Sequence, residues 1–143
     1  MLRFIKGELM DVKKALNLSH DEYYSMTREE LTQCASDNGY DVIYGDDKTL
    51  VLDLDTPNSL STFEVRIKRI NNEVCNAKVL HVYESESGYP HKHAVIKLSV
   101  KLDTSSRLFL QTFLGSDPIK EYLSFLRWRR KDEHPILLLR RTK

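Results

Sequence analysis

Apolar and polar positions alternate through residues 49–55, which sends Leu50, Leu52 and Leu54 to one side and Val51, Asp53 and Asp55 to the other, the period of a strand. Residues 40–44 have the same character, and Gly45, Asp46, Asp47 and Lys48 between the two runs read as a turn, so together they predict a hairpin. After residue 55 the period lengthens: Leu60, Phe63, Ile67 and Ile70 recur at helical spacing behind Thr56 and Pro57, an N-cap followed by proline at the first helical position, and the run stops at Asn71 and Asn72. Thr27, Arg28, Glu29 and Glu30 form a capping box for an earlier helix that Gly39 ends, and residues 9–18 carry a helical apolar pattern ahead of it. Residues 78–83 and 93–100 read as a strand pair around a polar Gly-Pro loop. Thr104 caps a helix ended by Gly115, Asp117 and Pro118 open the next with Ile119, Tyr122, Leu123 and Leu126 as its apolar side, and Pro135 precedes a short strand over 136–140.

After Gly45 the order is β, α, β, β, a doubled α, β. That order predicts an α+β fold of the RRM-like or ferredoxin-like split βαβ kind: an antiparallel sheet with helices on one face and the other face open, preceded by N-terminal helices. Residues 1–39 are expected to be a helical extension and 40–143 the core, within one compact domain.

Composition narrows the class. At 143 residues, with 41% hydrophobic and 30% charged positions and only 5 Gly and 4 Pro, the chain can bury one core and is neither disordered nor fibrous in type. The longest apolar run, 136–139, is far short of the roughly 20 residues a bilayer span needs, and residues 1–6 lack the apolar stretch of a secretory signal, so a soluble cytoplasmic protein is expected. Cys34 and Cys75 show neither CxxC nor metal-ligand spacing and are expected to be reduced, partly buried thiols. The net charge of +1 hides a polarity: residues 1–60 hold 12 acidic and 6 basic side chains, residues 61–143 hold 9 acidic and 16 basic, and the basic half is a candidate nucleic-acid surface.

Asp53 and Asp55 fall on the same face of a strand at its end, where their mutual repulsion is unfavourable unless a cation lies between them. Oxygen ligands of this kind select Mg²⁺ or Mn²⁺, and metal ions so held suit phosphoryl transfer. Ser87, Gly88, His91 and His93 form a second group, whose hydroxyl, backbone amides and imidazoles could contact phosphate, and His93 and Lys97 share the predicted face of the aspartates. His81 is expected to be a satisfied residue of an inner strand.

These residues resemble the archaeo-eukaryotic primase-like (primase-polymerase) superfamily, in particular its small phage- and plasmid-encoded relatives. Leu52-Asp53-Leu54-Asp55 is similar to that family's hydrophobic-Asp-hydrophobic-Asp motif, and Ser87-Gly88 followed by His93 is similar to its Ser-Gly to His motif. The resemblance spans roughly residues 40–140. It implies an RRM-like catalytic core, Asp53 and Asp55 as ligands of Mg²⁺ or Mn²⁺, and Ser87, Gly88, His91 and His93 at the triphosphate of an incoming nucleotide. A third catalytic acid is implied as well, Asp117 in Leu114-Gly115-Ser116-Asp117 or, alternatively, Asp103 after Leu102. The implied activity is nucleotidyl transfer in DNA replication or repair of a mobile element or phage. Its implied partners are nucleoside triphosphates, a DNA or RNA template and a helicase or other replication protein in trans, in a bacterial, archaeal or phage-infected host. The chain departs from the family in being short and in having no Cys/His zinc module or helix-rich priming domain.

Two other readings stand beside it. His91 and His93, two apart on a strand, resemble the His-hydrophobic-His motif of HUH-type single-strand endonucleases, although Lys92 replaces the hydrophobic residue. Such enzymes need a helix-borne tyrosine nucleophile, and Tyr122, the candidate by position, is expected to pack in the core. Alternatively, Arg127, Trp128, Arg129, Arg130 and Lys131 belong to a non-catalytic RRM-like module that binds single-stranded nucleic acid by stacking and phosphate contacts.

Overall fold

The computed structural model describes residues 16–84, 91–132 and 135–141. Two short capped helices come first. The Ser19 and Thr27 hydroxyls each accept a hydrogen bond from the backbone N–H three residues on, and their own backbone N–H groups donate to the Glu22 and Glu30 side chains, opening α1 (His20–Ser25) and α2 (Arg28–Asp37). The Ser19–Glu22 box signals α1, a helix the apolar periodicity alone does not reveal. Residues 9–15 of the predicted first helix, like Ser87 and Gly88, lie outside the described residues.

The fold is α+β. Strand β2 (Thr49–Leu54), helix α3 (Pro57–Glu73), β3 (Ala77–Glu84) and β4 (Lys92–Leu98) form a split βαβ unit, in which β4 lies between β2 and β3 in a three-stranded antiparallel sheet of order β2-β4-β3. Thr56 caps α3 through Ser59, Pro57 follows, and the helix runs through Asn71 and Asn72 to Glu73. Leu50, Leu52 and Leu54 pack with Ala94, Ile96 and Leu98 beneath Ile70, with Leu60, Phe63 and Ile67 of α3 around them. Helix α4 (Thr104–Phe113) adds Leu110, and Leu114 follows at its C-cap. Its N-cap is Asp103, one residue before the expected Thr104: Asp103 Oδ1 takes the Ser106 N–H, and a carboxylate caps at least as well as a hydroxyl. Helix α5 (Pro118–Arg129) and β5 (Leu137–Arg141) complete the chain.

β1 (Tyr40–Tyr44) does not pair with β2. It forms a separate two-stranded antiparallel sheet with β5, Tyr44 opposite Leu137, covered by Leu31 and Ala35 of α2. The expected hairpin fails because residues 45–48 redirect the chain rather than reverse it. Gly45 donates its N–H to Ile136 O at 2.9 Å, Asp46 Oδ1 accepts from Lys48 N and Thr49 Oγ1, and Arg107 holds Gly45 O at 2.9 Å. A β-carbon at Gly45 would lie 2.6 Å from Ile136 Cγ2, so this crossing needs glycine.

β2 is thus an edge strand, yet all six of its residues are buried. Its outward backbone groups at Val51 and Asp53 all find partners in the α4–α5 segment. Val51 N–H donates to Gln111 Oε1 and Asp53 N–H to Ser116 Oγ, while Val51 O accepts from Lys120 Nζ and Asp53 O from the Asp117 N–H. Side chains and a turn therefore occupy the edge of β2 that the expected hairpin strand does not take. The face bearing Val51 is closed as well, by Leu108 and Ile136, and that face remains open only toward β3, where His81 and Lys97 are exposed. His81 is exposed because β3 is the sheet's other edge. Among the described residues, no helix is long and apolar enough to cross a membrane. Cys34 and Cys75 are free thiols of intermediate burial.

Candidate metal centre at the end of strand β2

Two local devices carry the acids. The alternation of β2 turns Asp53 away from the leucines, and the strand ends one residue before Asp55, which immediately precedes the Thr56 cap of α3. From the other side, Asp117 is the N-cap of α5, its Oδ2 accepting the Lys120 N–H at 3.0 Å. The backbone bond from Asp117 N–H to Asp53 O, 2.7 Å, fixes that cap against the strand. One carboxylate oxygen each from Asp53, Asp55 and Asp117 then lie within 4.8 Å of one another. Two helix N-termini, those of α3 and α5, open at the cluster, and their partial positive charge favours anions there.

Cross-strand register brings the histidines in. Asp53 is paired with His93 on β4, and His93 Nε2 lies 3.6 Å from Asp53 Oδ1; His91 Nδ1 lies 3.2 Å from Asp55 Oδ1. The two imidazoles therefore address different aspartates. Burial, then the Asp55 charge and a hydrogen bond with it, push Asp53 up to about 8, against the opposing pull of Lys120. Burial raises Asp117 from its ordinary value too, opposed by the Lys120 N–H and reinforced by Asp55.

Below the acids is a closed ring of polar groups that sequence reading missed. Gln111 Oε1 accepts from Val51 N–H, Gln111 Nε2 donates to Glu121 Oε1 at 2.7 Å, Lys120 Nζ lies 3.0 Å from Glu121 Oε2, and the same ammonium reaches Val51 O. With Asp117 and Ser124, these side chains give α5 a buried face that is wholly polar. The signal was present: 117, 120, 121 and 124 follow helical spacing, but as polar residues they do not register in a search for apolar stripes. Tyr122, expected in the core, is consequently 56% exposed.

The remaining predicted residues lie elsewhere. Asp103 is exposed and occupied as a helix cap. Lys97 is exposed, opposite Thr49 and Lys78 in the sheet. Arg127 donates to Pro135 O and Ser124 Oγ, both at 3.1 Å, which ties α5 to the approach of β5. Trp128, Arg129, Arg130 and Lys131 are exposed at the C-terminal end of α5.

Three carboxylates are the donor set of a hard divalent cation. One observation fits that use: Asp55 Oδ2 is buried with no hydrogen-bond partner among the described residues, so the cluster keeps an acceptor that the protein itself does not satisfy. Compared with protein-family models, curated proteins and solved structures, the chain matches none.

Proposed function

We propose that the protein is a metal-dependent nucleotidyltransferase of the primase-polymerase type, serving replication or repair of a mobile element or phage. The observation that carries the reading is the convergence of Asp53, Asp55 and Asp117 with one buried carboxylate oxygen left unpartnered. Asp53 and Asp55 stand in the motif that resembles the primase-like first motif, and Asp117 arrives from a distant helix cap. In this reading the three carboxylates hold Mg²⁺ or Mn²⁺, which when bound neutralises the developing charge of phosphoryl transfer from a nucleoside triphosphate. His91 and His93, each against an aspartate, orient those carboxylates and present their ring edges to the phosphates. Burial excludes water from Asp53 and Asp117, which strengthens each charge interaction made there.

The test is calorimetric titration of a nucleoside triphosphate in the presence and absence of Mn²⁺, paired with primer extension on a DNA or RNA template. Nucleotide binding that requires Mn²⁺ and is lost in the Asp53→Asn, Asp55→Asn double variant is expected. Unchanged nucleotide affinity in that variant with Mn²⁺ present overturns the assignment.

A further inference from the structure

Helix α5 buries polar side chains and exposes aromatic ones, with Ile119, Leu123 and Leu126 half-buried. Its buried side is Asp117, Lys120, Glu121 and Ser124, whereas Tyr122, Phe125 and Trp128 are 56%, 40% and 39% exposed. Tyr122, Phe125 and Arg129 follow one another at helical spacing of three and four, and the Phe125 and Trp128 rings meet at 5.9 Å with their planes tilted by 58°. An exposed aromatic row of this kind is normally covered or used.

What adjoins the row indicates its occupant. The helix runs directly into Arg129, Arg130 and Lys131, all exposed, before the half-buried Asp132. Lys131 holds a left-handed backbone (φ 59°), in the turn closed by its N–H to Trp128 O and by Asp132 N–H to Arg127 O. Glycine is the usual residue at that position, so the chain keeps a cation beside Trp128 where backbone preference favours none. Flat π-faces next to several positive charges match a polymer of planar bases on a phosphate backbone.

We infer that the exposed face of α5, formed by Tyr122, Phe125, Trp128, Arg129 and Lys131, binds single-stranded nucleic acid by base stacking with phosphate contacts at its C-terminal end. Arg127 is not part of it, because its guanidinium is held by Pro135 O and Ser124 Oγ. Sequence preference is expected to be weak, since every base has a stacking face. The inference does not depend on a metal at the aspartates.

Trp128 is the chain's only tryptophan, which makes its fluorescence a reporter placed at the site. The full-length protein is titrated with a short oligothymidylate, with the duplex of the same length as the control. Quenching by the single strand, weaker binding of the duplex, and an affinity reduced at least tenfold in the Tyr122→Ser, Phe125→Ser double variant are expected, with the melting temperature of that variant close to the parent's. Arg129→Gln with Lys131→Gln is expected to flatten the salt dependence of binding. The Asp53→Asn, Asp55→Asn variant is expected to bind the oligonucleotide as the parent does, so failure of the metal reading and failure of this one are separable. Binding without Trp128 quenching and undiminished in the Tyr122→Ser, Phe125→Ser variant overturns the inference. So does concentration-dependent self-association through this face, seen by sedimentation and abolished in that variant, with no oligonucleotide binding.

Discussion

The Asp117 N–H donates to Asp53 O at 2.7 Å while the side chains of the same two residues meet in the acidic cluster. The contact between a strand edge and a helix cap sets the Asp117 backbone beside β2, and the cap bond from Lys120 N–H to Asp117 Oδ2 holds its carboxylate.

Asp117 has two separable duties. Asp117→Ala removes the cap of α5 and is expected to cost about 1 kcal/mol, whereas Asp117→Asn keeps a capping oxygen and is expected to cost less. Both variants lose the ligand charge and are expected to weaken Mn²⁺ binding alike. Urea unfolding beside Mn²⁺ titration separates the two effects, and an Asn variant that binds Mn²⁺ as the parent does removes Asp117 from the site.

In metal-free buffer, stability is expected to fall as pH rises from about 4 to about 8 and then to level off. Asp53 titrates near 4 in the unfolded chain but is pushed up to about 8 when folded. Between those values the folded state holds the extra proton, so raising the pH favours unfolding. Asp117, also raised, acts in the same direction. Chelator-treated protein melted in urea across this range gives the slope, and Asp53→Asn is expected to reduce it.

Lys120→Met leaves Glu121 buried without its cation and Val51 O without its donor, for an expected loss of about 3–5 kcal/mol. Adding Glu121→Leu removes the orphaned charge and is expected to recover part of that loss. A double variant no more stable than the single in denaturant unfolding contradicts this account of the ring.

Gly115 carries φ +98°, and a β-carbon there would lie 3.0 Å from Ser59 O of α3. Gly115→Ala is therefore expected to destabilise by about 1–3 kcal/mol and, because Ser116 and Asp117 follow directly, to weaken Mn²⁺ binding as well. Differential scanning calorimetry with and without Mn²⁺ measures both.

The parts of the molecule that local chemistry dictates were legible in advance. The alternation at residues 49–55 places the Asp53 and Asp55 side chains, Thr56 and Pro57 start α3, and Asp117 before Pro118 starts α5. What escaped was non-local. Strand character at residues 40–44 does not say which strand will pair with it, and β5 provides as good a match as β2 does. The open face expected for Asp53 is closed because Leu108 and Ile136 pack on it, while the α4–α5 segment occupies the edge of β2. Of the apolar side expected for α5, Ile119, Leu123 and Leu126 are half-buried and Tyr122 is exposed, because the fully buried positions are polar and paired.

A sheet edge with bare N–H and C=O groups is a template on which a second chain can add a strand. In β2 the four outward groups of Val51 and Asp53 are already taken by Gln111, Ser116, Asp117 and Lys120, so the strand that bears the acids offers no free rung to a neighbour. These four contacts thus protect the folded chain against edge-to-edge aggregation at its most apolar strand, and one of them, Asp117 N–H to Asp53 O, also sets Asp117 beside Asp53.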